Sequence, residues 1–104
     1  MANQTSKKTG KHSVFRFQGK VEIFPVESPW IYVSVPDRIT KITKEYAERG
    51  LVAVTAKLGK SEWNTSLMPK GDGTTFVPLN KKVCKTESIE LGDTVRLEVS
   101  LRKR

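Results

Sequence analysis

Six short stretches of this chain alternate apolar and polar residues with a period of two, and prolines and glycines stand between them. The first is the most regular. Phe15, Phe17, Gly19, Val21 and Ile23 point one way, while Arg16, Gln18, Lys20 and Glu22 point the other. Period two puts alternate side chains on opposite faces of an extended strand, so each stretch reads as a strand with one buried face. The same reading covers Trp30–Val35 (Ile31, Val33 and Val35 inward), Leu51–Leu58 (Val52, Val54, Ala56 and Leu58) and Ser61–Leu67 (Trp63, Thr65 and Leu67). It continues in Thr74–Leu79 (Val77 and Leu79) and in a last strand carrying Val95, Leu97, Val99 and Leu101. Gly19 has no side chain to pack and marks a bend or bulge. Pro78 implies a bulge or an edge position, because proline has no N–H for a central ladder.

The breaks are as informative as the strands. Phe24-Pro25-Val26-Glu27-Ser28-Pro29 is a connection, and Gly59-Lys60, Pro69-Lys70-Gly71-Asp72-Gly73 and Gly92-Asp93 are turns in which glycine takes positive φ at little cost. Two segments change period. After Pro36, Asp37 is placed to cap a helix carrying Ile39, Ile42 and Tyr46, with Gly50 at its stop; Asn80 is placed to cap a second short helix ending near Thr86.

Reading one half of the chain against the other shows a repeat. At an offset of 44, Ile23 falls on Leu67, Pro25 on Pro69, Tyr32 on Phe76, Val33 on Val77, Arg38 on Lys82 and Ile39 on Val83; one residue shorter, Val52, Val54, Ala56 and Leu58 fall on Val95, Leu97, Val99 and Leu101. Each half is strand, strand, helix, strand. The expected fold is therefore mainly β: a six-stranded closed barrel with pseudo-twofold symmetry, capped by two short helices. Closure removes the sheet edges that six alternating strands otherwise expose.

At 104 residues the chain makes one domain. Its net charge of +8 is unevenly placed. Lys7, Lys8 and Lys11 lie in a polar leading arm, residues 1–13, expected to be disordered, and Arg102, Lys103 and Arg104 form a basic tail, residues 102–104. The body, residues 14–101 with repeats 14–58 and 61–101, has 13 basic and 11 acidic residues and is nearly neutral. The one cysteine, Cys84, has no disulfide partner within the chain, and no signal segment or membrane-length apolar run is visible, so a cytoplasmic protein is expected.

No constellation for catalysis can be assembled. His12, the one histidine, has no second ligand or base near it, and Gly71-Asp72-Gly73 lacks the Lys-Ser/Thr and helix of a phosphate loop, so it reads as a hairpin turn. No cofactor, metal site or catalytic residue is expected. Two groups remain as a possible binding surface. Trp30, Tyr32 and Phe76 fall on the strand face opposite the core, where they either line a groove or pack beneath the helices. Arg38, Lys81, Lys82 and Lys85 lie on the helices, and the lysines flanking Cys84 either lower its pKa or leave it a packing residue.

The segments F-x-G-K-V-E-I at Phe17–Ile23, W-I-Y-V-S-V-P at Trp30–Pro36, W-N-T-S-L at Trp63–Leu67, G-D-G at Gly71–Gly73 and I-E-L-G-D-T-V at Ile89–Val95 resemble a small bacterial family described only as a domain of unknown function. Members of that family often occur beside the bacteriocin-protection, OmpD-associated domain. The resemblance covers residues 14–101 and implies a fold similar to the double-split barrels of AbrB and MazE-like regulators and antitoxins, in which two chains each supply half a barrel. Here both halves lie in one chain, which implies a monomer. Fold alone does not carry function. The expected role is a non-enzymatic module binding an unidentified protein or small ligand. The alternative is a nucleic-acid-associated protein using its basic tails and helix lysines.

Overall fold

The computed structural model describes residues 14–24 and 30–102. The leading arm with His12, the connection from Pro25 to Pro29, and Lys103 and Arg104 lie outside the described residues. The elements run β1 (Val14–Ile23), β2 (Ile31–Val35), α1 (Asp37–Thr43) with a 3-10 turn (Lys44–Tyr46), β3 (Val52–Leu58), β4 (Ser61–Pro69), β5 (Thr75–Leu79), α2 (Lys81–Thr86) and β6 (Thr94–Leu101).

The six strands close into an antiparallel barrel in the order β1-β2-β5-β4-β3-β6. Two long strands do the joining. β1 pairs with β6 from Val14 to Lys20 and with β2 from Val21 to Ile23; β4 pairs with β3 from Ser61 to Leu67 and with β5 only at Met68 and Pro69. Exchanging β1 with β4, β2 with β5 and β3 with β6 leaves this order unchanged, as the repeat requires.

The inward-facing residues of the alternating stretches fill the barrel. Val33, Val54, Ala56, Leu67, Val77 and Val99 have no exposed surface, and Val21 and Leu97 have almost none. Each large aliphatic side chain removed from water in this way contributes about 1.5–3 kcal/mol. Ile23 departs from the pattern and is 38% exposed, because β1 has by then passed the enclosed part of the barrel and pairs with Ile31 at its mouth.

Register corrects the repeat in one place. Tyr32 and Phe76 are 44 residues apart, but their ladder partners, Glu22 and Met68, are 46 apart. Relative to the barrel, Val21 rather than Ile23 therefore corresponds to Leu67, and both are fully buried. On this β2/β5 alignment Gly19 corresponds to Thr65, whereas across the β6 and β3 ladders, where Leu97 matches Val54, it is Phe17 that corresponds to Thr65. The β3–β4 hairpin pins Leu58 opposite Ser61 across the Gly59-Lys60 turn, so the position of β4 is set by a turn that β1 and β6 lack.

The first helix also differs from its expected form. Pro36 occupies the cap position with no side-chain bond, its carbonyl receiving the amides of Ile39 and Thr40 at 3.0 Å; Asp37 sits in the first turn. The buried face is Ile39, Thr40 and Thr43, while Ile42 (46%) and Tyr46 (52%) are exposed. Thr43 tolerates burial because its hydroxyl donates to the Ile39 carbonyl one turn back, at 2.9 Å. Gly50 does not end this helix. With Arg49 it makes a tight turn, both at positive φ (83° and 57°), closed by reciprocal bonds between Glu48 and Leu51. The second helix matches its expectation: the Asn80 side chain accepts from the Val83 amide at 2.8 Å. Pro78, expected at an edge or bulge, lies beyond the last β4–β5 pair and is paired on the β2 side alone.

Candidate functional site: a cleft where two strands part

The wall of the barrel is least complete between β4 and β5. In the first half, β1 and β2 pair at Val21–Val33, Glu22–Tyr32 and Ile23–Ile31. In the second half the counterparts of the last two form, as Met68–Phe76 and Pro69–Thr75, but the counterpart of Val21–Val33 does not. Gly19 supplies a physical reason. A Cβ there would lie 2.7 Å from Val33 Cγ1 and 3.5 Å from the Ser34 carbonyl, so the bare glycine lets β1 close on β2. With the strands aligned on β2 and β5, Thr65 holds the corresponding place on β4.

The resulting cleft has a volume of about 500 Å3, within the usual range of small-ligand sites. Trp63 lines it from β4 and Trp30 from the start of β2, with Met68, Pro78 and Leu79 adding apolar surface. Trp30 is 47% exposed, an expensive position for a large aromatic. Asn64 and Asn80 bring polar groups to the lining, though Asn64 Oδ1 already accepts from Thr55 Oγ1 at 2.9 Å and Asn80 caps α2. Among the described residues that line the cleft, Lys81 is the one ionisable side chain, with no carboxylate, imidazole or thiol. Glu87, at the end of α2, ties that helix to the start of β4 by accepting from the Lys60 amide (3.2 Å) and the Ser61 hydroxyl (2.7 Å). Pro78 removes a donor from the β5 side, which blunts that edge against an added strand.

The aromatic residues singled out in the sequence separate here. Tyr32 and Phe76 are buried, 7% and 4% exposed, in a second small core outside the barrel wall. Phe24 stacks on Tyr32 at 4.3 Å and meets Phe76 edge-on at 5.0 Å, Tyr32 meets Phe76 at 5.3 Å, and Trp30 touches Phe76 at 6.4 Å. Lys70 lies over the Tyr32 ring at 5.1 Å and donates to Ser34 Oγ at 2.6 Å. Burial, the charge of Glu22 and a long hydrogen bond to it raise the Tyr32 pKa. Only Trp30 belongs both to this cluster and to the cleft. Trp63, read as core, is half-buried: it packs against the core and faces the cleft.

The basic residues also separate. Lys81 is at the cleft, Lys82 and Lys85 are exposed on α2, and Arg38 lines a different depression with Arg16 and Arg96. Arg102, grouped with the tail by charge, is held by the barrel: its side chain donates to the carbonyls of Val54 and Thr65 at 3.0 Å each. The lysines around Cys84 do not activate it. Burial raises its thiol pKa, and it packs partly against the core. Asp72 serves the turn, accepting from the Thr74 amide at 3.0 Å and from the Thr74 hydroxyl; these bonds lower its pKa. Among the described residues, no group of three or more His, Cys, Asp or Glu could hold a metal ion, and no helix is long and apolar enough to cross a membrane.

Fold and site together define a small closed β-barrel with a ligand-sized, aromatic-walled cleft at the split in its wall. The chain belongs to the family described as "Domain of unknown function (DUF1905)", whose model matches residues 17–99. No curated protein matches it.

Proposed function

We propose that this protein is a non-catalytic binding module, and that the cleft between β4 and β5 receives its ligand, a small molecule or an inserted side chain of a protein. The observation that carries this reading is the half-exposed Trp30 across a cleft lined by Trp63, where the strand pair present in the first half is missing. Such a slot favours a flat apolar or aromatic group, and Lys81 at its rim favours one bearing a negative charge. The lining offers no pair of groups for acid–base or nucleophilic work, which supports binding over catalysis. The blunted β5 edge supports an inserted group over an added strand. We propose that it acts as a monomer, a reading supported by the closure of the barrel within one chain, and that it is cytoplasmic, a reading supported by its lone cysteine. The sequence resemblance to double-split barrels and the association with the bacteriocin-protection domain are consistent with a partner-binding role.

The test is a tryptophan-fluorescence titration with a panel of small planar aromatic carboxylates. Binding that quenches the parent and is lost in both Trp30→Ala and Lys81→Ala supports the reading. Ligands that bind both variants as they bind the parent place the site elsewhere.

A further inference from the structure

The outer face of the barrel carries a second depression, of about 580 Å3, across β1, β6 and the end of β3. Register brings its charges together: Arg16 lies opposite Glu98, Gln18 opposite Arg96, and Lys57 opposite Glu98 from the other side. Arg38 reaches in from α1. Four cations thus face two carboxylates, Glu98 in the groove and Glu62, which lies 4.0 Å from Lys57 on the neighbouring strand, a surplus of two that equals the whole surplus of residues 14–101. The rest of the barrel balances to zero, so the positive charge is gathered on this face.

The groups are also held in different ways. Glu98 binds Arg16 Nε at 3.1 Å and Lys57 Nζ at 3.9 Å. Arg38 is anchored by donation to the Arg16 carbonyl at 3.3 Å, which orients its guanidinium without neutralising it. Arg96 is exposed, and its side chain makes no hydrogen bond or ion pair among the described residues. Guanidinium forks suit phosphate oxygens bidentately. The aromatic among the lining residues, Phe17, is turned into the core, so the groove offers no platform for stacking an unpaired base.

We infer that this groove binds the phosphate backbone of duplex nucleic acid, through Arg16, Arg38 and Arg96, without reading bases. The inference is independent of the cleft and differs from an arm-and-tail mode of binding, because it places the contacts on the sheet.

Anisotropy of a fluorescein-labelled DNA duplex, titrated with the full-length chain over a salt series, tests it. Three phosphate contacts give a log–log salt slope of about −2.7, or a loss of about 40-fold in affinity for a fourfold rise in salt. Arg96→Glu is expected to weaken binding and to reduce the slope to about −1.8. Glu98→Gln removes the carboxylate that competes for Arg16 and Lys57 and is expected to tighten binding, a gain that misfolding does not produce. Parent-like binding by both variants overturns the inference. So does binding abolished by Lys7, Lys8 and Lys11→Gln together, which assigns it to the arm, or tighter binding of the single strand than of the duplex.

Discussion

Val33 and Val77 are 44 residues apart in the chain and directly opposite one another across the β2–β5 ladder, and neither has any exposed surface. Residues that correspond in the two halves are here also partners, so the pseudo-twofold axis passes between them. Each supports the other's burial from the opposite half of the molecule.

Truncation at this axis is therefore expected to show coupling. Val33→Ala and Val77→Ala should each cost about 2 kcal/mol through lost burial and a residual cavity. The double variant should differ from the sum of the two by about 0.5 kcal/mol or more, since contacting residues are not additive. Chemical denaturation of all four proteins measures the cycle.

Gly19→Ala should destabilise the barrel by about 1–3 kcal/mol, the usual range for a side chain forced into a packed site. The added methyl meets Val33 Cγ1 at 2.7 Å. A lower denaturant midpoint with an unchanged m-value is the expected signature. If stability is unchanged, β1 does not depend on that close approach to β2.

Asn80→Ala removes the side-chain cap on the Val83 amide and should cost about 1 kcal/mol. Asn80→Asp should preserve most of the stability, because a carboxylate accepts the same bond and suits a helix start. Thermal unfolding of the two variants separates the cap from the mere presence of a polar group.

The Cys84 thiol is raised in pKa by burial, so it stays protonated at pH values where a free thiol begins to ionise, about 8.5. Its alkylation by iodoacetamide at pH 8 should be slower than that of glutathione. The folded state then holds its proton longer than the unfolded chain. That contribution to stability is present in full below the unfolded pKa and declines as pH rises from there towards the folded value. Cys84→Ala should make the alkaline decline shallower.

Much of this molecule is legible in its residue order because the information is local. Val95, Leu97, Val99 and Leu101 alternate whatever surrounds them, Gly59-Lys60 turns the chain where it stands, and Asn80 caps the helix three residues from the amide it binds. The first helix was less legible. Ile39, Ile42 and Tyr46 suit a helical stripe by hydropathy, yet Thr40 and Thr43 join Ile39 on the inner face because both hydroxyls are satisfied there, Thr43 by the Ile39 carbonyl of its own helix and Thr40 by the Thr75 hydroxyl on β5. The aromatic residues illustrate the same limit. Trp30, Tyr32 and Phe76 share a strand face, but only contact with Phe24 and Lys70 makes two of them interior and leaves the third at a cleft.

Alternation and punctuation set the number of strands, the inward face of each and the near-equivalence of the two halves, since each depends on neighbours a few residues away. The cleft is different. It arises because β4 meets β5 two residues out of step with the repeat and because the strands part after Met68–Phe76. The convergence of Arg16, Arg38 and Arg96 is likewise a product of pairing between the two ends of the chain. Register across a closed barrel is fixed by fitting all six strands at once, so no single segment carries it.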